Sequence, residues 1–336
     1  MSEEQILLAH GGGGRLSQRL IAEEILSRFG SGPLATLPDA ASLQLSGRNV
    51  CFTTDGFVVQ PLFFPGGCIG DLAVHGTVND LAVSGARPRW LSLAMILEEG
   101  LPVMTLRRVL DAIRLAADHA DVAVVTGDTK VVKRGQCDGI YITTSGIGAA
   151  LPGFSLSIAQ IQPGDKVLVS GCLGDHGAAI LAAREGFPAE HSPKSDSRPL
   201  HRLVEGMAEL AAGVRFMRDP TRGGLATILN EMTAGQRFGM RIRARDLPFS
   251  PAASALAEMM GLDLLHVASE GCLVLVCAAS VADGILDIWH TLPEGRDARE
   301  VGIVTGEHGG RVILESAIAG ERVVDVPSGE LLPRIC

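Results

Sequence analysis

The sequence predicts two mixed α/β (α+β) domains that meet near residue 150. Three observations carry that reading. Helix-period segments alternate with short apolar runs in both halves. Pro, Gly and Ser cluster over Leu151–Gly164, and Pro163-Gly164-Asp165 marks a turn before the alternation resumes. The 336 residues are enough for about two domains. The division is 1–150, 151–326 and a tail at 327–336.

In chain order, Leu16, Leu20, Ile21, Ile25 and Leu26 share one face of a helix over Arg15–Phe29, and Gly30 stops it. Asn49–Thr54 is an extended run that ends on a turn at Asp55-Gly56. Apolar residues recur at helical spacing from Ile69 to Val83, and Trp90–Leu97 is strand-like. A helix fits Thr105–His119. A short buried strand follows at Val122–Val125, with a turn at Gly127-Asp128 and another strand at Tyr141–Ile147. The second half offers a strand at Lys166–Ser170 and helices near Ala178–Glu185, Leu200–Ala212 and Leu225–Thr233. The apolar strand Cys272–Ala278 comes next, then a helix and two more strands. Pro327–Cys336 holds two prolines and a glycine without periodicity, which suits an extended, flexible tail.

Composition narrows the function. Hydrophobic residues at 46% and charged residues at 20% fit a globular chain and exclude bulk disorder. A formal charge of −9 argues against nucleic acid, which is bound through clustered positive charge. It leaves room for a nucleotide whose phosphates are held through divalent metal. The seven cysteines form no C-x-x-C pair, so neither a disulfide framework nor a zinc knuckle is expected, and a reducing cytoplasm is the expected location. The longest uncharged stretch, Gly139–Gly164, is interrupted by Pro152-Gly153 and by recurring Ser, Thr and Gln. It reads as a buried strand and a linker, and no membrane span is expected.

Four features could carry chemistry. Asp39, Asp55, Asp80 and Asp128 sit at expected strand ends and turns. Such carboxylates cap helices and make turns, and they also supply the hard oxygen ligands that magnesium takes. His10–Gly14 (HGGGG) precedes the first helix, and Gly11, Gly12, Gly13 and Gly14 could close over phosphates or form a linker. Arg218–Leu225 (RDPTRGGL) puts Asp219 at an N-cap and Pro220 at a first helical position, and it could also cradle an anion. The fourth feature is Cys336, a thiol at the end of a tail whose last nine residues span at most about 30 Å when extended.

Together these blocks resemble the hydrogenase expression/formation protein family HypE. That family sits within the superfamily of aminoimidazole ribonucleotide synthetase (PurM) and selenophosphate synthetase. The resemblance runs nearly end to end. It covers HGGGG at 10–14, TTDGFVVQPLFFPGG at 53–67, IGDLAVHGTVNDLAVSGARP at 69–88 and VVTGDTKVVKRG at 124–135. It continues through SGCLGDHGAAIL at 170–181, RDPTRGGLATILNE at 218–231, SEGCLVL at 269–275 and the closing PRIC. GDTKVV and PRIC are the specific blocks. Gly56, where Ser is common, and Cys68, where an acidic or polar residue is usual, depart from the pattern, and Cys68 stays out of the metal set.

The resemblance implies a two-domain PurM-like fold whose first-half sheets pair across a homodimer. It implies that Cys336 accepts a carbamoyl group from the carbamoyltransferase HypF. ATP with Mg2+ would then drive dehydration of the thiocarboxamide to a thiocyanate, and the cyanide would pass to iron on the HypC–HypD complex. Asp39, Asp55, Asp80 and Asp128 match the family's nucleotide–metal aspartates, with the glycines of HGGGG beside the phosphates. Lys130 would neutralise phosphate charge or polarise the amide, and Glu270 would accept the proton. Glu270 and Lys130 are expected to project from sheet ends into one cleft. Two other readings remain: a relative that phosphorylates a small diffusible substrate, and a metal carrier using Cys336 and scattered histidines.

Overall fold

The computed structural model describes residues 15–20, 22–23, 40–45, 48–316, 320–326 and 335–336. Helix α1 spans Arg15–Leu20, and most of the remaining helix expected to Phe29 lies outside the described residues, as do Gly11–Gly14 and Asp39. The first half forms a five-stranded sheet in the order β1-β2-β7-β5-β6. Its strands are β1 (Ala41–Leu45), β2 (Arg48–Phe57), β5 (Ala86–Glu98), β6 (Ala123–Val132) and β7 (Ile140–Ala150); a small hairpin, β3 (Phe63–Phe64) and β4 (Gly67–Cys68), lies outside it. Helices α2 (Ile69–Val83) and α3 (Val103–His119) complete the domain.

Helix α2 has the bounds its apolar spacing predicts, but it lacks a polar face. All but Asp71 and Asp80 of its residues are buried, because it is packed between the sheet and α3. Gly70 permits the α3 contact: a Cβ there would stand 2.6 Å from the Val109 carbonyl oxygen.

Two expected turns are strand interior. Asp55 and Gly56 lie within β2, paired with Thr144 and Thr143 of β7. Gly127 and Asp128 lie in the middle of β6, which runs parallel to β5 with Leu93 opposite Gly127 and Ile96 opposite Lys130. The glycine serves close approach rather than a turn, since a Cβ on Gly127 would meet the Leu93 carbonyl oxygen at 2.2 Å.

The second half is a seven-stranded sheet, ordered β14-β13-β10-β12-β8-β11-β9. Its strands are β8 (Lys166–Val169), β9 (Val214–Arg218), β10 (Gly239–Arg243), β11 (Val274–Cys277), β12 (Arg299–Thr305), β13 (Val312–Glu315) and β14 (Glu321–Val323). Alternate side chains of β8 and β11 enter two cores. Val167, Val169, Val274 and Val276 pack with Leu225, Ile228 and Leu229 of α6 (Gly224–Thr233). Leu168, Leu275 and Cys277 pack with α5 (His201–Gly206) and α8 (Ala279–His290). Helices α4 (Asp175–Arg184) and α7 (Pro251–Met260) pack on each other.

The helix expected over Leu200–Ala212 breaks at Met207 into α5 and a 3-10 turn. Strands β9 and β10 and helix α7 were not foreseen. Asp219 is not an N-cap: α6 begins five residues later, with Gly223 as its cap at φ 80°. No helix among the described residues is long and apolar enough to cross a membrane.

Candidate active site

The last two residues of the chain are packed inside the protein. Ile335 is 4% exposed and joins the first-domain core with Phe57, Val59, Phe64 and Ile180. The Val58 amide donates to the Cys336 carbonyl at 3.2 Å, and His176 Nε2 lies 2.6 Å from the Ile335 carbonyl oxygen. The thiol is therefore brought to the end of β2, beside the second domain. Burial pushes the Cys336 thiol up to about 12, with the negative charges of Glu270, Asp55 and Asp219 adding to the shift and Arg222 opposing it.

Glu270 is held by a turn clamped from both domains. Its own amide and that of Gly271 donate to the Asp196 carboxylate, at 3.1 and 3.0 Å. Its carbonyl accepts from Asn79 Nδ2 at 3.1 Å. Asn79, in α2, also donates to the Arg198 carbonyl and accepts from the Leu200 amide. Gly271 has no alternative, because a Cβ would fall 1.7 Å from the Asp196 carbonyl oxygen. The side chain of Glu270 is buried, and its Oε1 has no hydrogen-bond partner among the described residues. Burial first, then Asp219 and Asp196, raise its carboxyl well above the ordinary range. A carboxylate so placed is a stronger base than one in water.

Asp55 and Asp80 face one another's elements across β2 and α2. Thr77 of α2 donates to Asp55 Oδ2 at 3.1 Å, and Thr53 of β2 donates to Asp80 Oδ2 at 2.8 Å. Both are hard oxygen donors of the kind magnesium takes beside substrate phosphates. Asp128 and Lys130 lie elsewhere. The row Asp55–Thr144–Leu93–Gly127 crosses the sheet in three strand steps, about 14 Å. Asp128 and Lys130 are exposed on edge strand β6 and pair at 3.0 Å; the lysine's hydrogen bond holds the Asp128 carboxyl low. Lys130 thus stands in mid-strand and not at a sheet end. Among the described residues no three His, Cys, Asp or Glu side chains converge as a metal cluster.

Comparison with known proteins places this arrangement. Residues 38–150 match the AIR synthase related protein N-terminal domain, and residues 162–315 match the C-terminal domain of the same description. Carbamoyl dehydratase HypE of Rhodobacter capsulatus is 46% identical over 339 residues, covering 100% of this chain and 99% of that protein. The chain belongs to the HypE family. A crystal structure of a HypE–HypF complex matches with a TM-score of 0.86 and 41% identity, over 92% of this chain and 99% of the other. HypE in complex with ATP matches with a TM-score of 0.81 and 42% identity, over 99% and 100%. The two-domain α/β architecture expected from the sequence is that of HypE.

Of the expected site residues, Cys336, Glu270 and Asp55 are electrostatically coupled in the structure, whereas sequence reasoning read Asp219 as a helix cap and Arg222 as part of an anion cradle. It missed Asp196, Asn79 and His176. His176 lies inside the HypE block SGCLGDHGAAIL, and Asn79 inside VNDLAV, so the blocks contained them. Asp196 sits in a loop with no periodic pattern, and nothing local distinguishes it.

Proposed function

We propose that this chain carries out the ATP-dependent dehydration of an S-carboxamide on its own Cys336, giving a thiocyanate for nickel–iron hydrogenase assembly. The observation that carries the reading is the Cys336 thiol docked beside a buried carboxylate, Glu270, with an unpartnered oxygen. The balance is Cys–S–C(=O)NH2 plus ATP to Cys–S–C≡N, ADP and phosphate. ATP, when bound, supplies the phosphoryl group that converts the amide oxygen into a leaving group. The residues of the chain do the rest. Glu270 takes one N–H proton and the other leaves with the departing phosphate, while Val58 and His176 hold the tail so that the amide faces that base. Asp55 and Asp80 fit as magnesium ligands, joined by Asp39, with Gly11–Gly14 at the phosphates; Asp128, about 14 Å away across the sheet, is too far to share that ion within one chain. Lys130, paired with Asp128 on exposed edge strand β6, stands apart from this site.

HypF as carbamoyl donor and the HypC–HypD complex as acceptor follow from family membership, and the relative solved with HypF supports the first. Pairing of two first-half sheets is supported by Phe52, Trp90, Val124, Val125 and Ile147, large apolar side chains that the sheet leaves exposed. The deciding measurement is the mass of the peptide ending at Cys336 after incubation with a carbamoylating partner, before and after ATP. Gain of a carboxamide and then loss of one water is expected. Turnover of ATP on a diffusible acceptor, with the peptide unchanged, would mark a small-molecule kinase instead.

Asp55→Asn and Asp80→Asn are each expected to weaken Mg–ATP binding by roughly tenfold or more, the scale of a lost charge-assisted contact. Calorimetry checks this, and parental affinity in a variant removes that residue from the metal set.

A further inference from the structure

His176 is fully buried at the start of α4, with both ring nitrogens in use. Nε2 lies 2.6 Å from the Ile335 carbonyl oxygen, and Nδ1 lies 2.8 Å from Ser195 Oγ. A carbonyl can only accept, so the hydrogen is on Nε2 and the Ser195 hydroxyl donates to Nδ1. Ser195 Oγ in turn accepts from the Ser197 amide at 3.2 Å, and the Ser195 amide donates to the Pro65 carbonyl. Phe64 meets the imidazole edge-on, with ring centroids 5.4 Å apart. Loop, ring and rotamer are therefore held by contacts that do not involve the tail, and the remaining ring donor meets the residue before the reactive cysteine. A fully buried histidine with no charged partner is an unusual choice for packing alone, since an apolar side chain would fill the space without needing two hydrogen bonds.

We propose that His176 is a positioning residue that latches the tail: its Nε2–H grips the Ile335 carbonyl and sets the balance between the docked and undocked thiol. The latch reads backbone, so its grip is indifferent to what Cys336 carries on sulfur. The buried Ile335 side chain supplies the second point of attachment and the Val58 amide the third. The effect on dehydration rests on the function proposed above; the docking equilibrium itself does not.

The test uses the full chain without nucleotide and reads alkylation of Cys336 by iodoacetamide, mapped by peptide mass. A docked thiol is shielded and protonated, so the reagent samples the undocked fraction. His176→Phe keeps an aromatic ring against Phe64 but has no donor. Alkylation of Cys336 is expected to accelerate about tenfold, the scale of one hydrogen bond lost from a buried carbonyl. His176→Gln, whose amide nitrogen can occupy the Nε2 position, is expected to restore most of the protection. Ile335→Ala should accelerate alkylation likewise, and it truncates only the tail's own anchor, so the docking equilibrium stays measurable if the phenylalanine variant fails to fold. Parental alkylation rates in a folded His176→Phe protein would overturn the latch, as would rapid alkylation of Cys336 in the parent. So would a glutamine variant as fast as the phenylalanine one, because ring shape and not the donor would then be responsible. Single-turnover dehydration of carbamoylated protein is expected to slow in His176→Phe and recover in His176→Gln. If no variant or parent dehydrates while the alkylation pattern holds, the proposed function fails and the latch stands.

Discussion

Replacing Cys336 by alanine is expected to abolish both mass changes, the carboxamide gain and the subsequent loss of water, with no residual signal on any other cysteine. The loss is complete because the sulfur is the atom modified. The fold should survive. The tail's backbone contact to Val58 and the buried Ile335 side chain remain, and only the sulfur of a partly exposed residue is removed, so stability should change by about 1 kcal/mol or less. Intact-protein mass spectrometry with peptide mapping checks the first point and thermal unfolding the second. A carboxamide found on Cys172, the other cysteine with partial exposure, would place the chemistry elsewhere.

Glu270→Gln is expected to slow dehydration by about 10²–10⁴-fold, the range for a lost general base, while leaving Mg–ATP binding and carbamoyl loading in place. Glutamine is nearly isosteric, and the backbone contacts that shape the turn, to Asp196 and Asn79, do not involve the Glu270 side chain. The pH profile adds a second readout. The carboxyl is raised well above its ordinary value, so the base form is gained only as pH climbs past that elevated value. The parent rate should therefore rise with pH through an acid limb above the usual carboxylate range, and the glutamine variant should lack that limb. Parental single-turnover rates in Glu270→Gln would overturn the base assignment.

How much of this was legible in sequence depended on whether the determining contact was local. Helix α2 was readable because its apolar spacing is a property of fifteen consecutive residues. Strand β6 was cut short because Gly127-Asp128 has the composition of a turn. What keeps it extended is parallel pairing with β5, from which α3 separates it. Lys130 was misplaced by the same error, since its expected position at a sheet end followed from the turn. Asp219 was misread as a helix cap because Asp-Pro is a common start signal; the glycines at 223 and 224 delay the helix. The clamp on Glu270 was invisible in principle. Asp196 and Asn79 lie 74 and 191 residues from the group they position, and no spacing rule reaches that far.

The docking of Ile335 and Cys336 against their own chain also changes what binding strength the site requires. A free substrate would have to find the pocket from bulk solution, and tight binding would be the remedy. A segment covalently joined to its site instead meets it at an effective concentration commonly in the millimolar range. At that concentration an intrinsic affinity of roughly tens of micromolar already keeps the pocket more than about nine-tenths filled. One isoleucine side chain and two backbone-directed hydrogen bonds are interactions of suitable size. Weak contacts of this kind also break quickly. Occupancy thus comes from connectivity and fast departure from the modest interface, so a cargo-bearing end of the chain can visit a second protein without a slow release step.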